Sequence, residues 1–217
     1  MLPPIMSIAL TMPEEVVLLT LDDETGRPLG VPDQAVSLAL VGAVLMELAL
    51  AGRLDSDIDR LFVENSAPTG DPVLDGILAR VSAGPEGQDS RWWMGHLAPQ
   101  GASLRQALLD RLVQRGVLRL DKGRRLLLLP DRRYPKADGS AMNATRARLR
   151  AVLLEGEIPE ARDTLMAGLC SATGLLPVIL SETEAEAAAP RLAAVAGLEE
   201  MSRSLVAETR DRLAAGH

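Results

Sequence analysis

The sequence predicts a mainly α protein, a compact single helical domain around a buried central helix, with one or two small β-hairpins. Three observations carry this. An apolar run from Ala35 to Ala51 is interrupted only by Ser37 and Glu47. Hydrophobic residues make up 47% of the chain but aromatics only 2%, so the core must be built from Leu, Val, Ala and Met. That mix favours helices over sandwiches or barrels, which lean on β-branched and aromatic residues. Helix start and stop signals also bracket the apolar stretches in turn. At 217 residues the chain can bury a sizeable core, and its 24% charged residues are ordinary for a globular protein.

The elements follow in order. Thr11-Met12-Pro13-Glu14-Glu15 places proline just inside a helix start and acids in its first turn, predicting a helix over Met12–Thr20. Asp22 to Pro32 is rich in turn formers. The central helix then runs over Ala35–Ala51 and stops at Gly52. Its seventeen residues fall just short of the roughly 20 needed to cross a bilayer, and Glu47 would be costly there, so it reads as a core helix. Arg53 to Asn65 alternates weakly and suggests a short hairpin. Asp71 can cap a helix running through Val81, and Ser90–Leu97 holds both tryptophans and His96.

Ser103-Leu104-Arg105-Gln106 has the form of a capping box, starting a helix that ends at Arg115 before Gly116. Val117–Leu120 and Arg125–Leu129, joined by Asp121–Arg124, read as a β-hairpin. Pro130–Ser140 reads as a polar loop. Helices follow over about Ser140–Glu155, Pro159–Cys170, Leu176–Ile179, Thr183–Ala196 and Glu199–Ala214, with Pro190 expected to kink or split the fourth.

Chemistry-bearing patterns are sparse. A single cysteine excludes an internal disulfide framework and any multi-cysteine zinc site, and no metal or cofactor is expected. Phosphate-loop, dinucleotide-binding, nucleophile-elbow and zinc-protease motifs are absent, so no catalytic residue and no enzyme activity is predicted. Cys170, in an apolar stretch, reads as a buried structural thiol, and His96 beside Trp92 and Trp93 as a packed, hydrogen-bonded histidine. Asp22-Asp23-Glu24 and the trio Glu182, Glu184, Glu186 suit a turn and a helix start. The first residues lack a basic leader, which points to a cytoplasmic protein.

Charge is unevenly spread. The chain carries −7 overall, yet Arg105 to Arg150 holds thirteen Lys or Arg against four acids. Such a segment either faces an anionic surface or partner, or pairs with the acidic remainder. Within it Arg105 falls at about 100° on a helical wheel whose apolar arc runs from Leu104 at 0° to Val113 at 180°. A cation there, just after the Ser103 cap, either shares an anion with free backbone N–H groups or snorkels to water. Arg132, Arg133, Tyr134 and Lys136 place cations around one aromatic, a set that suits an anionic membrane surface or simple solvation. One aromatic and an acidic total charge argue against nucleic acid.

Several segments resemble the Golgi phosphoprotein 3 family: Pro13-Glu14-Glu15-Val16-Val17-Leu18-Leu19, Leu45 to Leu54 with its Gly52-Arg53-Leu54 end, Ser66-Ala67-Pro68-Thr69-Gly70-Asp71 with Leu74-Asp75, and Leu112 to Leu118. They stand in the family's order over nearly the whole chain. The resemblance implies a family domain over 12–215 after an N-terminal lead of 1–11, built around the helix Ala35–Ala51. Eukaryotic members are peripheral membrane proteins that bind phosphatidylinositol 4-phosphate and sort Golgi glycosyltransferases by their tails.

The resemblance also implies a headgroup pocket, whose four positions align here with Pro32, Val41, Ala102 and Arg105. Only Arg105 keeps the family's residue type, where a tryptophan and two further arginines are expected. A protruding hairpin that touches membrane and helps self-association aligns with Leu126 to about Met142. The composition and the missing basic N-terminal extension suit a bacterial member. The expectation is a non-catalytic peripheral protein at the cytoplasmic face of a membrane, binding anionic phospholipid headgroups through Arg105 and meeting the surface with Arg132, Arg133, Tyr134 and Lys136. The alternative is a protein-interaction adaptor that grips an acidic partner or peptide tail with the same basic face.

Overall fold

The computed structural model describes residues 9–57, 59–124, 130–135, 140–155 and 160–194. It is mainly helical, with two short antiparallel strand pairs. At its centre α2 (Asp33–Leu50) packs against α1 (Met12–Leu19), α3 (Pro72–Ala83), α4 (Ser90–Leu97), α5 (Gly101–Gln114) and α7 (Ala161–Ala172). Between them, α6 (Ser140–Arg150) leads into a π-helical turn, Ala151–Glu155. Residues 182–194 are helical through Pro190, so the expected split there does not occur.

The apolar run of α2 is explained by its two buried faces. Val36, Ala39, Leu40 and Ala43 join a core with α1, α5 and α7, while Val41, Val44, Leu45 and Leu48 join a second core with Leu54, Leu61, Leu74, Ile77 and Trp93. A helix apolar all round is a buried helix. By length and composition α2 could cross a membrane. In this fold the acid within its apolar run, Glu47, instead accepts the Met12 N–H at 2.6 Å and the Arg162 guanidinium at 3.1 Å.

All eight residues of α1 are buried, Glu14 and Glu15 included. Glu14 accepts from Arg115 at 2.6 and 2.7 Å, and Arg111 Nε lies 2.9 Å from it. It also turns back to accept the Thr11 N–H at 2.9 Å, the reciprocal arm of a capping box. Glu15 accepts from Arg148 at 2.7 Å, Thr145 at 3.2 Å and Arg162 at 3.3 Å. Arg148 also bonds Asp163. Removing two carboxylates from water is costly unless cations and donors surround them, and here α5, α6 and α7 supply those groups.

Several local signals behave as expected. Asp71 caps α3 by accepting from Val73 N–H at 2.8 Å, and Gly52 and Gly116 take φ of 63° and 73° just past α2 and α5. The short hairpin is β1 (Leu54–Ser56) paired with β2 (Leu61–Val63). Three expectations are corrected. Ser103 is no cap, because the chain is already helical from Ser90 through a 3₁₀ turn, Ala98–Gln100, and its hydroxyl donates back to Gln100 O at 2.8 Å.

The second hairpin is shifted. β3 (Asp121–Arg124) pairs with β4 (Pro130–Arg133), so the residues expected to form the turn are themselves a strand. Part of the expected polar loop is β4, and the expected strand 125–129 lies outside the described residues. The helix expected over Glu199–Ala214 lies outside them too.

Candidate functional site

Five of the thirteen cations in the basic segment are spent inside the molecule. Besides Arg111, Arg115 and Arg148, Arg146 pairs with Asp23 at 2.6 Å and Arg150 bonds Glu184. Arg111 also reaches Asp71 at 2.6 Å. For these five cations, pairing with the acidic remainder is the reading that holds. Burial works against the charge on Arg148, but its bonds to Glu15 and Asp163 outweigh that and raise its pKa.

Arg105 is placed differently. It lines a pocket of about 330 Å³ between the start of α2, the start of α5, the turn after α1 and Tyr134. Its side chain is 19% exposed, and the carboxylate it approaches is Asp33, 3.9 Å away with its own side chain 99% exposed. Burial lowers the guanidinium's pKa, and the charges of Asp33 and Tyr134 work the other way. It is the fifth residue of α5, not the second after a cap, so no exposed helix start lies beside it. An anion cannot be shared there with free N–H groups as the sequence suggested. What the structure gives is a desolvated cation at a pocket wall.

The pocket exists because α2 and α5 approach closely. A Cβ at Gly101 would fall 2.2 Å from Ser37 Oγ, so only glycine permits this crossing. Tyr134 forms the facing wall. It is 6% exposed, its ring packs in the core, and its hydroxyl accepts from Gln106 Nε2 at 3.4 Å. This corrects the expectation that Tyr134 meets a membrane interface. Its N–H donates to Gly26 O at 3.0 Å, and Arg119 N–H donates to Pro135 O at 2.8 Å, closing the base of the hairpin. Gly26 has φ 63°, and a Cβ there would meet Tyr134 carbonyl carbon at 2.1 Å.

Of the other predicted surface residues, Arg133 is half-buried and ends β4, and Arg132 lies opposite Lys122 in the strand pair. Lys136 lies outside the described residues, as do 126–129 and 137–139 of the 126–142 segment. Of the four family pocket positions, Ala102 and Arg105 line one pocket, Val41 is fully buried in the core, and Pro32 lines a neighbouring groove. Sequence reading missed Asp33, Ser37 and Gln106 as lining residues. Their only signal was position: Asp33 and Ser37 flank a helix start, and Gln106 follows Arg105.

The remaining candidates are structural. Cys170 is fully buried, and burial, helped by Glu15, pushes its thiol up to about 12. His96 is exposed and stacked on Trp92 at 4.6 Å, with Trp93 edge-on at 5.8 Å. Asp22 organises its turn by accepting from Thr25 N–H at 2.8 Å. Glu184 accepts from Ser181 N–H at 2.9 Å at the start of helical residues 182–194. Among the described residues no group of three His, Cys, Asp or Glu is placed to hold a metal.

The fold and site define a helical domain wrapped on an apolar central helix, with a small, mainly apolar pocket holding Arg105 beside the base of a hairpin. Residues 12–213 match the family model of Golgi phosphoprotein 3 (GPP34). The chain belongs to that family. It is similar to the vacuolar protein sorting-associated protein 74 of Eremothecium gossypii, 31% identical over 166 residues, covering 67% of this chain and 49% of the relative. Its likeness to the protein of the same name from Schizosaccharomyces pombe is 29% over 164 residues, covering 66% and 48%. The chain spans about half the length of these fungal relatives.

Proposed function

We propose that this chain is a non-catalytic peripheral membrane domain that holds an anionic phospholipid headgroup in the Arg105 pocket. The observation that carries the reading is the contrast between Arg105 and the five paired cations of its segment. They face carboxylates at close range, while Arg105 sits largely desolvated beside an open volume with Asp33 at 3.9 Å. A guanidinium so placed offers a planar fork to a phosphate. Arg132, Arg133 and Lys136, on or just beyond the hairpin whose base forms the pocket wall, would meet the same surface, each worth about 1 kcal/mol near an anionic leaflet. Family membership supports a cytoplasmic, peripherally associated protein, and the reading holds equally for a bacterial cell. The adaptor reading would use the same Arg132, Arg133 and Lys136 but gives the Arg105 pocket no role.

Co-sedimentation with neutral and anionic vesicles, for wild type and Arg105→Ala, tests this. Binding to anionic vesicles alone, weakened several-fold by the substitution and released by high salt, is expected. Equal binding to neutral vesicles, or an Arg105→Ala protein that binds like wild type, sinks the proposal.

A further inference from the structure

A second groove, mainly apolar and about 390 Å³ in volume, runs along the later half of α2. Met46 and Ala49 form its floor, with Met94 of α4 and Leu165 of α7 at its sides. At Gly42 a Cβ would meet Leu169 Cδ1 at 2.6 Å and Met94 Cε at 3.2 Å, so α4 and α7 close over α2 at that end. Leu54, Asp55 and Ser56 line the groove in succession, so β1 meets it edge-on and not by one face. β1 pairs with β2 on one side, and among the described residues no other strand pairs with it. An extended segment could lie along that edge. Asp55 is the one charged side chain among the described lining residues.

The first part of the chain emerges close by. The Leu10 carbonyl accepts from the Arg162 guanidinium at 2.9 Å, and Arg162 also binds Glu47, the neighbour of Met46. Leu165 stands about one turn along α7 from Arg162. Leu10, Met46 and Leu165 all pack, partly buried, on the same core. Before Leu10 comes Met1-Leu2-Pro3-Pro4-Ile5-Met6-Ser7-Ile8-Ala9, with no charge and one polar side chain. Residues 1–8 would reach roughly 26–29 Å if extended, and a helix is about 10 Å across, so about three residues cross the start of α7 and about five remain for the groove. Such a segment gains by leaving water, and Pro3-Pro4 favours the extended backbone a groove accepts at low entropic cost. Its tether holds it near the groove at an effective concentration on the order of millimolar.

We propose that residues 1–5 are the occupant of this groove, laid along α2 between β1 and α7, so that the chain's own N-terminal segment seals its second apolar opening. The inference is independent of the membrane reading.

The test places a benzophenone photo-crosslinker at position 56, where Ser56 is exposed at the groove's rim, in the full chain at high dilution. Irradiation is expected to join that position to residues 1–8 of the same chain, and the same group at exposed Ser66 is expected to give no such product. Leu2→Ser combined with Ile5→Ser keeps the length of the chain and alters no residue of the described core. With an unchanged helical signal, this variant is expected to lose most of the crosslink and to bind the neutral apolar dye Nile red several-fold more. Absence of a crosslink from position 56 to residues 1–8, an equal yield from position 66, or a yield that the serine variant does not lower overturns the inference. A product joining two chains overturns it in favour of a second copy on the groove.

Discussion

Glu14 and Glu15 show why single residues in this chain are hard to read from sequence. Two acids in a first helical turn look like ordinary partners of the helix dipole. Both are in fact buried, held by arginines more than one hundred residues away, and no local pattern announces such pairing. Arg105 was legible for the opposite reason: a cation inside an apolar arc is a local contradiction, and the pocket is its resolution. Glu184 gives a pH signature. Its bonds from Arg150 and Ser181 hold the carboxyl down at about 2, against 4.5 for a free glutamate. A group depressed by folding stabilises the protein above its unfolded pKa, and that contribution is lost as pH falls through the folded one. Melting temperatures of wild type and Glu184→Gln should therefore differ at pH 6 and converge as the pH falls from 4.5 towards 2. A gap that persists undiminished at the acid end would show that the pair contributes nothing through ionisation.

At the scale of elements, the signals that held are those whose physics is complete within a few residues. Asp71 accepting from the next helix, and Gly52 and Gly116 turning the chain past α2 and α5, need no distant partner. Ser103 failed because the preceding turn was already helical, so the capping pattern met no free N–H groups. The strand pair moved because the residues read as its turn, Asp121 to Arg124, found partners in Pro130 to Arg133. The distinction is measurable. Asp71→Ala should cost about 1–2 kcal/mol in urea unfolding through the lost cap, with a further loss from its pair with Arg111. Ser103→Ala should stay within about 0.5 kcal/mol, as for a surface residue without such a role. A comparable loss at both positions would restore the capping box that the sequence suggested.

For the molecule as a whole, the helical class and the central α2 were legible because an apolar run with one acid has few ways to be buried in water. The arrangement around it was not, since which helix covers which face depends on side chains far apart in sequence. Cys170 reports on that arrangement. It is fully buried and its thiol is held near 12, so a thiol reagent at pH 8 should find it inert in the native protein. Labelling should appear only at the rate of global unfolding. Rapid modification without loss of helical signal would mean the core around α7 opens independently of the rest.

The buried glutamate helix also bears on how the chain is made. Its cationic partners lie about 100 to 147 residues downstream: Arg111 and Arg115 on Glu14, and Arg148 and Arg162 on Glu15. A ribosome adding roughly 5–20 residues per second needs on the order of ten to thirty seconds to deliver the last of them. Until then α2 can cover part of the apolar face of α1, but Glu15 lacks both Arg148 and Arg162. The α1 segment is thus synthesised well before the cations that complete its surroundings, and it is a stretch that a nascent-chain chaperone would have to hold.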